Sequence, residues 1–169
     1  YKITIIYNGV DLYEIPRVKP IQSRIIIGTL GRLVEQKGHI HLIKIAKKLK
    51  EKKLNFEIQI AGTGPLKNKL NLLIENEKLT NEVKLLGHVD SNTFLSSIDL
   101  FVFPSLFEGL SNALLEAQLY QKPTIAFNTA SNYEVITHGY NGILIPPFKT
   151  TLMANAIYVL SNSLKMQSW

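Results

Sequence analysis

Short apolar runs of strand length alternate along the chain with segments whose apolar residues recur at helical spacing. The runs predicted as strands span residues 1–7, 23–27, 56–61, 82–86, 100–103, 124–127 and 142–145. The segments predicted as helices span residues 37–52, 66–78, 92–98, 112–120, 132–137 and 151–161. Buried strands that alternate with helices predict a parallel sheet with helices on both faces. The predicted fold class is therefore α/β, a doubly wound, Rossmann-like sheet.

A turn signal and an irregular stretch separate the first run from the rest of the chain. Asn8-Gly9 ends that run, and residues 10–20 contain two prolines. Residues 1–20 are therefore predicted to form a first strand and an interdomain hinge, and residues 21–169 one Rossmann-like domain. The chain starts without Met and without the pattern of a signal peptide, so we expect it to be part of a longer protein.

Length and composition limit the classes of protein to which this chain can belong. The 169 residues suffice for one domain with a full core, and no apolar run reaches the roughly 18 residues of a membrane span. There is no cysteine, which excludes disulfides and thiolate chemistry and fits a reducing compartment. The formal charge of +6 favours an anionic partner without choosing between polyanions, phosphorylated small molecules and anionic membranes.

Two glutamates flank the junction between the strand at 100–103 and the helix at 112–120. Pro104 and Gly109 mark the loop, and Ser111 is a good N-cap residue, so Glu108 is predicted in the loop and Glu116 in the helix. A helix N-terminus favours anions, and carboxylates accept hydrogen bonds from hydroxyls. This junction would suit a ligand that carries both phosphates and hydroxyls. For a single glutamate, simple solvent exposure is the commoner explanation.

Two cations follow the strand at 23–27. Gly31-Arg32 comes after it and Lys37-Gly38 opens the next predicted helix, so guanidinium and ammonium groups could bind a diphosphate together. Simple surface exposure explains such residues about as often. Gly62 and Gly64 after the second domain strand allow a close backbone approach, although they also fit an ordinary tight turn.

Other nucleotide sites fit the sequence less well. The loop after residue 27 lacks the Gly-x-Gly-x-x-Gly pattern of dinucleotide binding, and no P-loop motif is present. The four histidines have no metal-ligand spacing; His39, His41 and His138 are expected at the surface or in loops, with His88 on the ligand edge. The lysine-rich segment 44–53 is interpreted as the solvated face of a core helix rather than as a membrane surface.

Several short motifs occur together in a fixed order and spacing. They are Asn8-Gly9-Val10-Asp11, Gly31-Arg32 through Lys37-Gly38, Ala61-Gly62-Thr63-Gly64-Pro65, Leu86-Gly87, Pro104-Ser105, Glu108-x7-Glu116-Ala117, Pro123-Thr124-Ile125-Ala126 and Asn141-Gly142. Together they resemble the C-terminal, donor-binding domain of the family 4 retaining glycosyltransferases, which have the GT-B fold. The resemblance implies that residues 21–169 bind a nucleotide-diphosphate sugar.

The resemblance also implies roles for individual residues. Arg32 and Lys37 would bind the donor diphosphate next to Gly31, and Glu116 would bind the ribose. Glu108 would lie near the donor sugar, with the amides of Gly109, Leu110 and Ser111 near sugar and phosphate. Gly87-His88-Val89 would form the rim around the base, and Gly62 and Gly64 would let the backbone approach the donor. Arg32, Lys37 and Glu108 are the candidate catalytic residues, and neither a cofactor nor a metal ion is expected.

Two segments depart from the family pattern. Ser131-Asn132-Tyr133 stands where members often have a Gly pair before the acid that matches Glu134, and Pro147-Phe148-Lys149 replaces a familiar acid after the proline. The first departure affects the loop shape and the sugar selectivity. The acceptor-binding N-terminal domain is absent from this sequence, so we expect the chain alone to bind nucleotide weakly and to transfer no sugar.

The leading hypothesis is the donor half of a retaining glycosyltransferase acting on a glycan, lipid or protein-linked acceptor, as in polysaccharide biosynthesis. The alternatives are a nucleotide-binding module without transfer activity and a GT-B-like nucleotide-sugar epimerase. The expected partners are a nucleotide sugar and the missing N-terminal domain, with no nucleic acid. The expected location is the cytoplasm, and association of the full-length enzyme with the inner face of a membrane is left open.

Overall fold

A computed structural model describes Gly9, residues 23–129 and residues 131–167. Its strands are β1 Ile25–Leu30, β2 Phe56–Ala61, β3 Val83–Gly87, β4 Leu100–Phe103, β5 Thr124–Phe127 and β6 Ile143–Ile145. Its helices are α1 His39–Glu51, α2 Lys67–Asn76, α3 Ser91–Ser97, α4 Asn112–Leu119, α5 Asn132–Val135 and α6 Thr150–Gln167. A short 3₁₀ helix, Glu35–Lys37, precedes α1. The predicted hinge and first strand lie outside the described residues, apart from Gly9.

The six strands form one sheet in the order β3-β2-β1-β4-β5-β6, and every pairing is parallel. The chain moves from β1 outward to β3 and returns to β4 on the other side of β1. The carboxyl ends of β1 and β4 are therefore the topological switch point, where ligands bind in sheets of this kind. The predicted doubly wound fold is confirmed.

Alternating side chains of β1 divide the core into two layers. Ile25 and Ile27 are fully buried in a cluster with residues of α1, α2 and α6. Ile26 and Leu30 point to the opposite face and pack on a cluster that includes residues of α3 and α4. Because both faces of the sheet are covered by helices, only its edges and strand ends are open to a ligand.

The structure shifts several predicted boundaries. Residues 28–30 were predicted as loop, but they continue β1 because all six residues from Ile25 to Leu30 pair with β2. The helix predicted from residue 37 begins at His39, since Gly38 takes a left-handed conformation with φ 66° and separates it from the 3₁₀ helix. The last helix continues to Gln167 instead of ending at residue 161, and the short helix at 132 ends at Val135.

The lysine-rich face of α1 is partly balanced by nearby acids. Lys47 Nζ lies 2.7 Å from Glu77 Oε2, and Lys50 Nζ lies 2.8 Å from Glu82 Oε1. The apolar face of the same helix is buried against the sheet. This arrangement fits the interpretation of α1 as a core helix with a solvated face. No helix in the described part of the chain is both long and apolar enough to span a membrane.

Candidate active site

The glycine loops after β1 and β2 are linked backbone to backbone. Gly31 N donates to Ala61 O at 2.9 Å, and Leu33 N donates to Thr63 O at 2.8 Å. Gly62 has φ +142°, and a Cβ there would lie 1.9 Å from Gly31 O. A glycine is therefore required at position 62, because any side chain would separate the two loops. Gly64 lies in the same loop, close to the backbone of Leu33.

A cavity of about 540 Å³ opens at the carboxyl ends of β1, β2 and β3. It is lined by Leu30, Gly31, Arg32, Ala61, Gly62, Thr63, His88, Val89, Asp90, Ser91 and Glu116. It brings together six of the candidate residues from separate loops and from α4: Gly31, Arg32, Gly62, His88, Val89 and Glu116. Asp90 and Ser91 were not among the candidates, although their position directly after His88-Val89 could have suggested them.

The Glu116 carboxylate is available to a ligand in this cavity. The side chain projects from the second turn of α4 and is half-buried. No hydrogen bond from the described residues reaches its carboxylate, and burial raises the pKa of this group. A half-buried acceptor without a partner can take hydrogen bonds from ligand hydroxyls.

Arg32 supplies the positive charge of the cavity. Its side chain is exposed, and within the described part of the chain its guanidinium forms no ion pair or hydrogen bond. A hydrogen-bond contact holds its backbone in place, because His39 Nε2 lies 3.1 Å from Arg32 O. The guanidinium is therefore free to bind an anion while the loop that carries it stays in place.

Lys37 and Glu108 do not line that cavity but form a separate cluster. Lys37 Nζ lies 2.6 Å from Glu108 Oε1, and the exposed fractions of the two side chains are 19% and 9%. The fully buried Ser105 donates its Oγ hydrogen to the same carboxylate oxygen, 2.5 Å away. Lys37 Nζ also lies 5.5 Å from the centre of the Phe103 ring. We call Ser105, Lys37 and Glu108 the Glu108 cluster.

Gln36 joins the loop of Lys37 to the loop of Glu108. Its backbone oxygen accepts from Leu106 N at 2.8 Å, and its side chain donates from Nε2 to Phe107 O at 2.8 Å. The backbones also touch at Gly38, where an added Cβ would lie 2.1 Å from Pro104 O. The two loops therefore form one unit. Nothing in the spacing of Gln36 identified it as part of the site.

The remaining candidates lie around this unit. Gly109 and Leu110 continue the Glu108 loop, and Ser111 is the N-cap residue of α4, although its side chain makes no capping hydrogen bond. Gly87 ends β3 with φ +74° and leads into the His88 rim. The structure thus gives the expected order of loop, N-cap and helix around the two glutamates.

The prediction of surface positions for His39 and His41 is wrong. The exposed fraction is 2% for His39 and 9% for His41, because the first turn of α1 packs beneath the Arg32 loop and against Phe127. Burial lowers the pKa of His39 from 6.5 to about 4 and also lowers that of His41. His88 is exposed at the cavity, and His138 Nδ1 accepts from Leu144 N. Among the described residues, no group of three or more His, Asp or Glu could hold a metal ion.

The sequence profile of the family Glycosyl transferases group 1 matches residues 13–169. The chain belongs to this family, as the resemblance implied. An uncharacterized glycosyltransferase of Methanocaldococcus jannaschii is 38% identical over 134 residues, which are 70% of this chain and 33% of that protein. The GDP-mannose-dependent alpha-mannosyltransferase of Corynebacterium glutamicum is 32% identical over 146 residues, covering 85% of this chain and 33% of that protein.

Solved structures show the same architecture. A mutant of S. aureus TarM, in complex with Fondaparinux, alpha-GlcNAc-glycerol and UDP, matches with a TM-score of 0.86 at 28% identity. The match covers 94% of this chain and 33% of that chain. Anabaena HepE in complex with UDP and glucose matches with a TM-score of 0.77 at 25% identity, over 86% of this chain and 40% of that chain. The fold is that of one half of a GT-B enzyme, and the chain spans about a third of the relatives' length.

Proposed function

We propose that this chain is the donor-binding half of a retaining glycosyltransferase that uses a nucleotide-diphosphate sugar. The observation that carries the proposal is the cavity in which the Arg32 guanidinium and the Glu116 carboxylate, both without a partner among the described residues, face one space between glycine loops. A guanidinium suits a diphosphate and a carboxylate suits the hydroxyls of a ribose. The binding of GDP-mannose implied by one relative's name and of UDP by structural neighbours supports a nucleotide diphosphate here.

In this proposal each part of the donor has its own set of residues. The base lies along Gly87-His88-Val89, the ribose binds Glu116, and the diphosphate binds Arg32 and Lys37 beside Gly31 and Gly62. The sugar lies beside Glu108, with the amides of Gly109, Leu110 and Ser111 near sugar and phosphate. The acceptor, whether a glycan, a lipid or a protein-linked sugar, enters from the domain absent from this sequence.

The chemistry follows from where negative charge develops. Cleavage of the bond between the sugar carbon and the phosphate oxygen leaves its electron pair on the diphosphate. Fixed cations and amide N–H groups stabilise that charge best when they are positioned before the reaction begins. In this proposal Arg32 and Lys37 supply the positive charge, rather than a metal ion. The links through Gln36 hold one of these cations in place before the donor binds.

The proposal is tested by titrating the chain with UDP, GDP and ADP in a calorimeter. We expect one nucleotide to bind, and both Glu116→Ala and Arg32→Ala to weaken it roughly tenfold or more, because each removes a charged hydrogen-bonding group worth about 1.5–3 kcal/mol. Lys37→Ala should weaken binding as well, but it also leaves the Glu108 carboxylate without its cation.

Glu75→Ala and Lys44→Ala are the matched controls, because both residues are exposed and lie outside the cavity. They should bind as the unmodified chain does. The absence of binding for all three nucleotides at millimolar concentration would refute the proposal. We also expect no sugar transfer by this chain without its partner domain, and efficient transfer would contradict the assignment of the acceptor site to that domain.

A further inference from the structure

The Glu108 cluster places a negative charge against the cation proposed to bind the diphosphate. Glu108 Oε1 accepts hydrogen bonds from both the Lys37 ammonium at 2.6 Å and the Ser105 hydroxyl at 2.5 Å. An ammonium has three N–H donors, so two remain for a phosphate when one is given to the carboxylate. Lys37 therefore meets a ligand with its charge already partly balanced.

The carboxylate is held in a fixed position. Ser105 is completely buried, and the Glu108 side chain is 9% exposed. The adjoining backbone is held as well, because Gln36 Nε2 donates to Phe107 O. No hydrogen bond from the described residues reaches the other oxygen, Oε2, so this atom can accept one from a ligand. A buried, fixed acceptor favours hydroxyl donors and disfavours anionic groups.

A nucleotide sugar and a free nucleoside diphosphate differ in the group that each would place beside Glu108. The donor presents a neutral sugar with hydroxyl groups beyond its second phosphate, whereas the free diphosphate ends there with an additional ionisable oxygen. We propose that the Glu108 cluster lets the site discriminate against the free diphosphate, with Glu108 as the discriminating charge and Ser105 as its positioning residue. The inference rests on the proposed function, because it requires the diphosphate to lie at Lys37.

During turnover, the Glu108 carboxylate would favour release of the nucleoside diphosphate product. The carboxylate repels the terminal phosphate and competes with it for the Lys37 ammonium. The same carboxylate accepts hydrogen bonds from the sugar while the donor is intact. Loss of the sugar therefore converts a favourable contact into an unfavourable one, and the nucleoside diphosphate leaves more easily.

The test compares dissociation constants for three pairs of ligands: UDP with UDP-glucose, GDP with GDP-mannose, and ADP with ADP-glucose. The variant Glu108→Gln keeps the size of the side chain and removes its charge. For the pair that binds, we expect Glu108→Gln to tighten the free diphosphate about fivefold and to weaken the nucleotide sugar or leave it unchanged. Ser105→Ala should shift the ratio of the two constants in the same direction by a smaller factor, because it frees the carboxylate to move.

Glu75→Gln makes the same change of charge on the outer face of α2 and should leave the ratio unchanged. Melting temperatures show whether each variant is folded, and if Glu108→Gln is unfolded, Ser105→Ala decides the question. A ratio within twofold of the unmodified chain in the folded variants would overturn the inference. The absence of nucleotide binding by the unmodified chain would instead count against the proposed function itself.

Discussion

Gly38→Ala is expected to lower the free energy of unfolding by about 3–5 kcal/mol. Gly38 has φ 66° and ψ 20°, a conformation that disfavours any residue with a Cβ. The added Cβ would also lie 2.1 Å from Pro104 O, a backbone atom that cannot move without the whole loop. The variant must therefore separate the loop of Lys37 from the loop of Glu108, and we expect nucleotide binding to weaken as well.

Urea denaturation followed by circular dichroism measures this change. Gly139→Ala is the matched control, because Gly139 also has a positive φ, 81°, but nothing lies within 4 Å of its added Cβ. The control should lose only about 1 kcal/mol, the cost of the left-handed conformation alone. If the two variants were equally stable, close contact between the loops would not be what requires glycine at position 38.

The chain is expected to lose stability as the pH falls from 6.5 to 4, and His39 is a principal cause. Its pKa is lowered from 6.5 to about 4, first by burial and then by the charge of Lys37, while hydrogen bonding to the backbone of Arg32 and Gly31 acts in the opposite direction. Between these values the unfolded chain binds more protons than the folded chain, so stability rises with pH in this window. The contribution of His39 to the free energy of unfolding is complete above about pH 6.5 and reaches at most about 3 kcal/mol.

Unfolding free energies measured from pH 7 to pH 4 test this expectation. His39→Gln removes the titrating group and keeps a side-chain N–H donor, so its profile should be flatter than that of the unmodified chain. His41, whose pKa is also lowered by burial, accounts for part of the remaining slope. Equal slopes for His39→Gln and the unmodified chain would show that His39 is not buried as described.

The apolar runs predicted the order of strands and helices most clearly where a strand is buried on both faces, as β4 and β5 are. Val102 and Ile125 are fully buried, as their runs required. Element ends were predicted less well. Residues 28–30 look like a glycine loop in isolation, but pairing of Gly28 with Gln59 in β2 extends the strand. That pairing is a property of the assembled sheet and leaves no local mark in the sequence.

Prediction of the candidate site from local sequence was limited in the same way and to a greater degree. Arg32 was predicted as a candidate because it follows a glycine turn, and Glu116 because it lies early in a helix; both line one cavity. The pairing of Lys37 with Glu108 was not predicted, nor were the contacts made by Gln36, because they join residues about 70 positions apart. His39 was placed at the surface because an isolated histidine carries no periodic signal, whereas its burial depends on the loop above it.

The long separation between Lys37 and Glu108, 71 positions, also bears on how the chain reaches its folded state. A chain that had folded only through β3 would contain both cations but neither glutamate. A nucleotide that contacts both loops would bind the completed domain alone and would stabilise it by about 2.7 kcal/mol at 100 times its dissociation constant. On the proposed function, the nucleotide would then act as a stabilising ligand only after the chain has folded as far as α4, which carries Glu116.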